Sequence, residues 1–211
     1  FGVRRLLMLL VIVAALTTTA VSNWSEPTPE FVFARLALSN RAYYMYWPMD
    51  WPHTPPWRHD YPDSDEFIIA LVHELTGIRV SSDSYKIVEL SSPEIFNYPF
   101  LYLSEPGFMV LNDKEIANLG EYIRRGGFIM ADDFRTAAYL GGPEELEVLR
   151  SHLKRAVPER ELVRLDFRHP IFHSFYDIET LKMKPPYGEF VPEFWGMSDE
   201  NGRLQLIGNY N

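Results

Sequence analysis

Apolar positions along the chain follow two periods, and the places where the period changes mark out the elements. Phe31 to Leu36 (FVFARL) is a short β-rich run that predicts a first strand. From Asp63 to Thr76 the apolar residues Phe67, Ile68, Leu71 and Leu75 recur three and four apart. That predicts a helix capped by Asp63 or Ser64, with Gly77 as a left-handed stop. Tyr85 to Leu90 predicts a strand, and Phe100 to Leu103 (FLYL) a buried strand running into Ser104-Glu105-Pro106-Gly107. Asn112 with Glu115 three residues on forms a capping box. Ile116, Leu119 and Ile123 then line one helical face, Gly126-Gly127 closes the helix, and Phe128 to Ala131 follows as a strand. Strand, helix and strand in succession make the two strands parallel neighbours through a right-handed crossover. A further helix is expected from Pro143, with Leu146, Leu149 and Leu153 inward. Strands are expected at Glu161 to Leu165 and Arg203 to Gly208. The alternation predicts an α/β fold with a doubly wound, mostly parallel sheet in three layers.

Two segments break these periods. Arg4 and Arg5 precede an apolar run from Leu6 to Leu16, small and polar residues follow, and Ala20-Val21-Ser22 fits a small-x-small cleavage pattern. Residues 1–22 are therefore expected to be a signal peptide or an N-terminal membrane anchor. Residues 23–30 (NWSEPTPE) read as a linker, and 31–211 as one domain that is C-terminally truncated. The expected location is exported: periplasmic, or anchored on the outer side of a membrane. The second segment, Tyr43 to Pro62, holds five prolines among tryptophans and tyrosines, a density that no helix or central strand survives. It reads as an ordered lid or binding surface.

Composition then removes whole classes of chemistry. With no cysteine, disulfides, thiolate metal sites and cysteine nucleophiles are excluded. A formal charge of -9 repels a phosphate backbone, so nucleic acid is not an expected partner. Neither a glycine-rich phosphate loop nor a Gly-x-Ser-x-Gly elbow occurs, which argues against nucleotide binding and a standard serine hydrolase.

Ligands of open parallel sheets bind beyond the carboxyl ends of the strands. Glu105, Asp132 and Asp133 reach that edge, where neighbouring carboxylates suit acid–base work or a metal, and equally a turn or a cap. His169 and His173 stand four apart, but Pro170 between them and the absence of a following glutamate favour a turn cap. Phe172 and Phe175 are then expected in the core. Catalytic candidates are Asp132, Asp133, Glu105 and His169. Ligand-binding candidates are Trp51, Trp57, Asp60, Tyr61, Phe134 and His173; no residue is assigned as a metal ligand, and no cofactor is specified.

The runs Trp57-Arg58-His59-Asp60-Tyr61-Pro62, Tyr98 to Gly107, Gly126 to Phe134 and His169 to His173, in that order, resemble the bacterial family called domain of unknown function 4159. The resemblance spans roughly Phe31 to Asn211. It implies a flavodoxin-like or class I glutamine amidotransferase-like fold and a chain that continues past Asn211. In true amidotransferases a cysteine nucleophile occupies the sharp turn after the strand expected here to end at Ala131. Asp132 or Asp133 stands there instead, so no glutamine amidotransferase activity is expected. The expected function is a cell-envelope module that binds an envelope protein, a small molecule or a carbohydrate, touching the membrane only through residues 1–22 if these stay uncleaved. The alternative is a hydrolase, carbohydrate-directed or metal-assisted, using Asp132, Asp133, Glu105 and His169.

Overall fold

The computed structural model describes residues 28–38, 55–134, 144–182 and 192–210. The chain divides into a unit of Phe1–Glu30 and one of Phe31–Asn211, and every element below belongs to the second. The signal or anchor segment, most of the linker, Trp51 and Pro143 lie outside the described residues. Among the described residues no helix is long and apolar enough to cross a membrane.

Seven strands form one sheet in the order β2-β1-β3-β4-β7-β6-β5. They are β1 (Phe33–Ala37), β2 (Tyr85–Glu89), β3 (Phe100–Ser104), β4 (Phe128–Phe134), β5 (Val163–Arg164), β6 (Glu193–Ser198) and β7 (Leu204–Tyr210). The first five in spatial order are parallel, while β6 and β5 add on antiparallel. Three helices accompany them: α1 (Asp63–Leu75), α2 (Asp113–Arg124) and α3 (Glu145–Ala156). This is an α/β fold with a mostly parallel sheet, consistent with a Rossmann- or flavodoxin-like class. From β1 the chain moves to one side for β2 and to the other for β3, so the strand order reverses between β1 and β3.

Alternation along the strands feeds two cores. Ala34 and Leu36, Leu101 and Leu103, and Ile129 and Ala131 join Leu119 and Ile123 of α2 and Leu146, Leu149 and Leu153 of α3 on one face. Phe33 and Tyr102 meet Ile69 of α1 on the other, with Met130 packed against them. In β4 the inward sequence runs Ile129, Ala131 and then Phe134, a change of parity. A shift of register against β7 between Ala131 and Phe134 accounts for it. One extra residue has been inserted, and Asp133 within that bulge takes a left-handed φ of 62°.

Several expectations need correction. The strand expected to end at Ala131 runs on through both aspartates to Phe134, so no sharp turn follows Ala131. Helix α1 begins after Pro62 without a side-chain cap, and its stop is Thr76, whose Oγ1 donates to the Val72 carbonyl at 2.6 Å; Gly77 is not left-handed. Its buried positions are Asp65 and Ile69, while Phe67 and Leu75 face solvent. The reason is Arg35: a buried guanidinium on β1 draws Asp65 inward and sets the rotation of the helix. Strand β5 is only two residues long, and β6 was not anticipated. Phe172 is buried as expected, but Phe175 is 61% exposed.

Candidate functional site

The parallel strands end on a common edge, and three segments meet there beside the reversal between β1 and β3. The turn after β3 brings Glu105, the bulge of β4 brings Asp133, and the segment ahead of α1 brings His59. His59 Nδ1 lies 2.8 Å from Asp133 Oδ2 and 3.2 Å from Glu105 Oε1, and its Nε2 lies 3.6 Å from Asp60 Oδ1. Among the described residues these three, His59, Glu105 and Asp133, are the group that brings metal-capable side chains together, with one ligand atom of each within 4.8 Å of the others. Glu105 is 1% exposed.

Among the described residues, left-handed backbone at residues other than glycine is concentrated in this one place. Asp60, Glu105 and Asp133 have φ of 57°, 53° and 62°, and they are the non-glycine residues with positive φ among those described. Such geometry costs roughly 1–3 kcal/mol per residue and persists only where the surroundings over-determine it.

Those surroundings are polar and buried. Arg35, wholly inaccessible on β1, donates through Nε to both oxygens of Asp65 at 3.1 and 3.0 Å and through Nη2 to Ser64 Oγ at 2.6 Å. Its Nη1 donates to the carbonyls of Trp57 and His59 at 3.0 and 3.1 Å, which fixes the backbone that carries the histidine. The guanidinium also lies 4.7 Å from the centre of the Tyr102 ring. Beside it, the Tyr102 hydroxyl donates to Asp132 Oδ2 at 3.1 Å and Asn209 Nδ2 donates to Asp132 Oδ1 at 2.7 Å. The Glu105 N–H donates to the Asp132 carbonyl at 2.9 Å, tying the turn after β3 to the bulge. Behind that turn Gly107 is required by space, because a Cβ there would stand 2.3 Å from Glu145 Cγ.

The electrostatics follow from these contacts. Hydrogen bonds to Asp133 and then to Glu105 outweigh the cost of burial and raise His59 from 6.5 to about 10, so it is an imidazolium at neutral pH. Burial holds the Asp132 carboxyl above its ordinary range, with the bonds from Asn209 and Tyr102 opposing. The Tyr102 hydroxyl is also pushed up, chiefly by burial.

The family described as Domain of unknown function (DUF4159) matches residues 43–211. The chain belongs to this family. No curated protein matches it.

Within this DUF4159 domain, Glu105 and Asp133 are brought together, Asp132 supports them from behind, and Asp60 lies at the rim with its side chain 71% exposed. His169 is elsewhere: it precedes a short 3-10 turn, Pro170–His173, and its Nδ1 accepts from the Ile171 N–H at 3.3 Å. His173 pairs with Asp177 and reaches the Phe167 carbonyl at 2.8 Å. Phe134 is fully buried in the core, so its ring packs and offers no face to a ligand. Trp57 is partly buried against the same core, and Tyr61 lies under the guanidinium groups of Arg58 and Arg35 at 5.2 and 5.8 Å. His59 and Arg35 were not candidates in the sequence. The Trp-Arg-His-Asp-Tyr-Pro run contained the signal for His59; for Arg35 the only sign was a charge inside an apolar strand.

Proposed function

We propose that this domain is an exported cell-envelope module on an amidotransferase-like fold that binds a small-molecule, carbohydrate or protein ligand at the carboxyl edge of its sheet. One observation carries the reading: three non-glycine residues in left-handed backbone surround one imidazole, at the edge and beside the strand reversal where open α/β sheets bind ligands. The N-terminal pattern of Arg4, Arg5 and the apolar run after them supports export. The aromatic and proline-rich sequence that leads into His59, most of which lies outside the described residues, supports a role in stacking on a ligand. Without any cysteine, thioester chemistry is excluded.

A thermal-shift screen of sugars, small acids and envelope peptides tests this. A ligand that raises the melting temperature of the unaltered protein, and fails to raise that of Asp133→Asn, supports the reading; ligands that shift both equally place binding elsewhere. The hydrolase alternative has one observation in its favour. Oxygens of Glu105 and Asp133 lie within 4.8 Å of each other, nearer the ~5–5.5 Å of a retaining glycosidase pair than the wider inverting spacing. Its histidine would be His59 rather than His169. Glycoside turnover abolished by both Glu105→Gln and Asp133→Asn would establish it.

A further inference from the structure

Two carboxylates and one imidazole converge from three separate elements, and the ring atom that meets the carboxylates is a single nitrogen. His59 Nδ1 stands 2.8 Å from Asp133 Oδ2 and 3.2 Å from Glu105 Oε1. Donor atoms bound at ~2.0–2.2 Å around one ion lie ~2.8–3.1 Å apart in an octahedral shell and ~3.3–3.6 Å apart in a tetrahedral one, so the two nitrogen–oxygen separations are close to those of neighbouring ligands. Burial is the second observation. Glu105 is 1% exposed, and a carboxylate this far from water is paired with a cation or coordinates a metal; Asp133, at 27% side-chain exposure, stands between it and solvent.

Donor chemistry favours the second. Two carboxylate oxygens and one imidazole nitrogen, delivered by three separate segments with one ligand atom of each within 4.8 Å of the others, form the mixed nitrogen and oxygen set that divalent transition metals take.

We propose that His59 Nδ1, Glu105 and Asp133 bind one divalent transition-metal ion, through which the ligand of the carboxyl edge is held. The proposal rests on the reading of that edge as the binding site. One nitrogen and two carboxylate oxygens suit zinc, manganese or ferrous iron better than calcium or magnesium, which take oxygen sets. Three protein ligands leave coordination positions open to water or a ligand group.

The test uses the full chain, freed of metal with a chelator and dialysed, and titrated calorimetrically with zinc, manganese, magnesium and calcium chlorides. One zinc or manganese ion binds per chain, at least about tenfold tighter than magnesium or calcium. Glu105→Gln and Asp133→Asn each weaken it by about 100-fold or more, the upper range even for groups that only support a ligand. His173→Ala, which removes the other histidine–aspartate pair, leaves the affinity unchanged. If Glu105→Gln does not fold, as judged by circular dichroism, cobalt in the unaltered protein decides: visible d–d bands of an imidazole-carboxylate site appear and are abolished by equimolar zinc. Absence of binding overturns the proposal. So does binding that survives Asp133→Asn or follows His173→Ala, which marks an adventitious ion only. If no metal binds while an organic ligand still shifts the unaltered protein and not Asp133→Asn, the carboxyl edge stands as the binding site and the ion alone is wrong.

Discussion

His59 and His173 each stand beside an aspartate, and the two pairs are built in opposite ways. The partners of His173 are local: Asp177 is four residues on, both side chains are substantially exposed, and the Phe167 carbonyl completes the set. His59 draws its partners from 46 and 74 residues away, on backbone held in a left-handed conformation, and its own carbonyl is clamped by a buried arginine. A pair like that of His173 forms wherever spacing permits. The His59 cluster exists only because strand ends, a bulge and a buried ion pair are all in place. Its cost is met by the rest of the fold, which is why it marks the candidate site and the His173 pair does not.

The largest expected effect separates the two regions at their arginines. Arg35→Leu leaves the Asp65 carboxylate buried without its partner and frees the carbonyls of Trp57 and His59, so we expect a loss of about 3–5 kcal/mol in urea unfolding. Arg168→Ala, removing an exposed pair with Asp166 on the His173 side, leaves the urea midpoint essentially unchanged, because solvent screens that pair. A small loss at Arg35 would mean that His59 is positioned by something other than this clamp.

Alkaline pH gives the next effect. The folded pKa of His59 is raised from 6.5 to about 10, so its contribution is fully present below pH 6.5, declines as pH rises, and is gone above about pH 10. In metal-free protein this amounts to on the order of 2–4 kcal/mol after allowing for partial exposure. Asp133→Asn should flatten that slope between pH 6.5 and 10. His152 runs the other way. Its Nε2 lies 3.0 Å from the Met109 carbonyl and burial depresses its pKa, so its contribution is present above pH 6.5 and lost as pH falls below it. Histidine NMR titrations distinguish the two; an imidazole of His59 that deprotonates near pH 6.5 would mean that Asp133 and Glu105 do not hold its proton.

How far this was legible in the sequence follows from the same contrast. The Asn112–Glu115 capping box, the Gly126 stop at φ 88°, the inward leucines of α3 and the parallel pairing of β3 with β4 were readable because each depends on residues close in sequence or on strict period. Glu105, Asp132 and Asp133 were placed at the right edge because strand direction alone puts them there. The buried face of α1 was misjudged because Arg35 overrides hydrophobic period, and the bulge in β4 because Ala-Asp-Asp reads equally as strand end. His59 went unchosen because the Trp-Arg-His-Asp-Tyr-Pro run that carries it was read as a lid or binding surface, and spacing alone does not tell it from His53 or His73. What selects it is the return of segment 55–60 over β1 and β3, which brings its imidazole to the bulge of β4, a long-range fact.

Behind Glu105, close packing ties the turn after β3 to the start of α3. Gly107→Ala places a methyl 2.3 Å from Glu145 Cγ and 2.4 Å from Glu145 Cβ, and relief requires the start of α3 or the turn itself to move. We expect a loss of about 1–3 kcal/mol by thermal melting. Ligand or metal affinity should weaken with it, since Glu105 is only two residues upstream. Loss of stability with unchanged affinity would uncouple the turn from the cluster.

The smallest effect has the opposite sign. Asp60 holds φ at 57° with its side chain largely in solvent, and its carbonyl accepts from the N–H and hydroxyl of Ser64 whatever side chain it carries. Asp60→Gly removes the steric cost of a left-handed residue and adds the entropy of glycine in the unfolded chain. Because aspartate tolerates this region better than most residues, the net gain is at most about 1 kcal/mol. The same change at Asp63, in the first turn of α1, loses about 0.5–1 kcal/mol because nothing is strained there. Parallel denaturant titrations of the two variants therefore read the sign directly. If Asp60→Gly stabilises the fold while weakening ligand binding, the strain at residue 60 serves the site. If it destabilises as Asp63→Gly does, the left-handed backbone beside His59 is ordinary turn geometry, and the case for this edge narrows to Glu105 and Asp133.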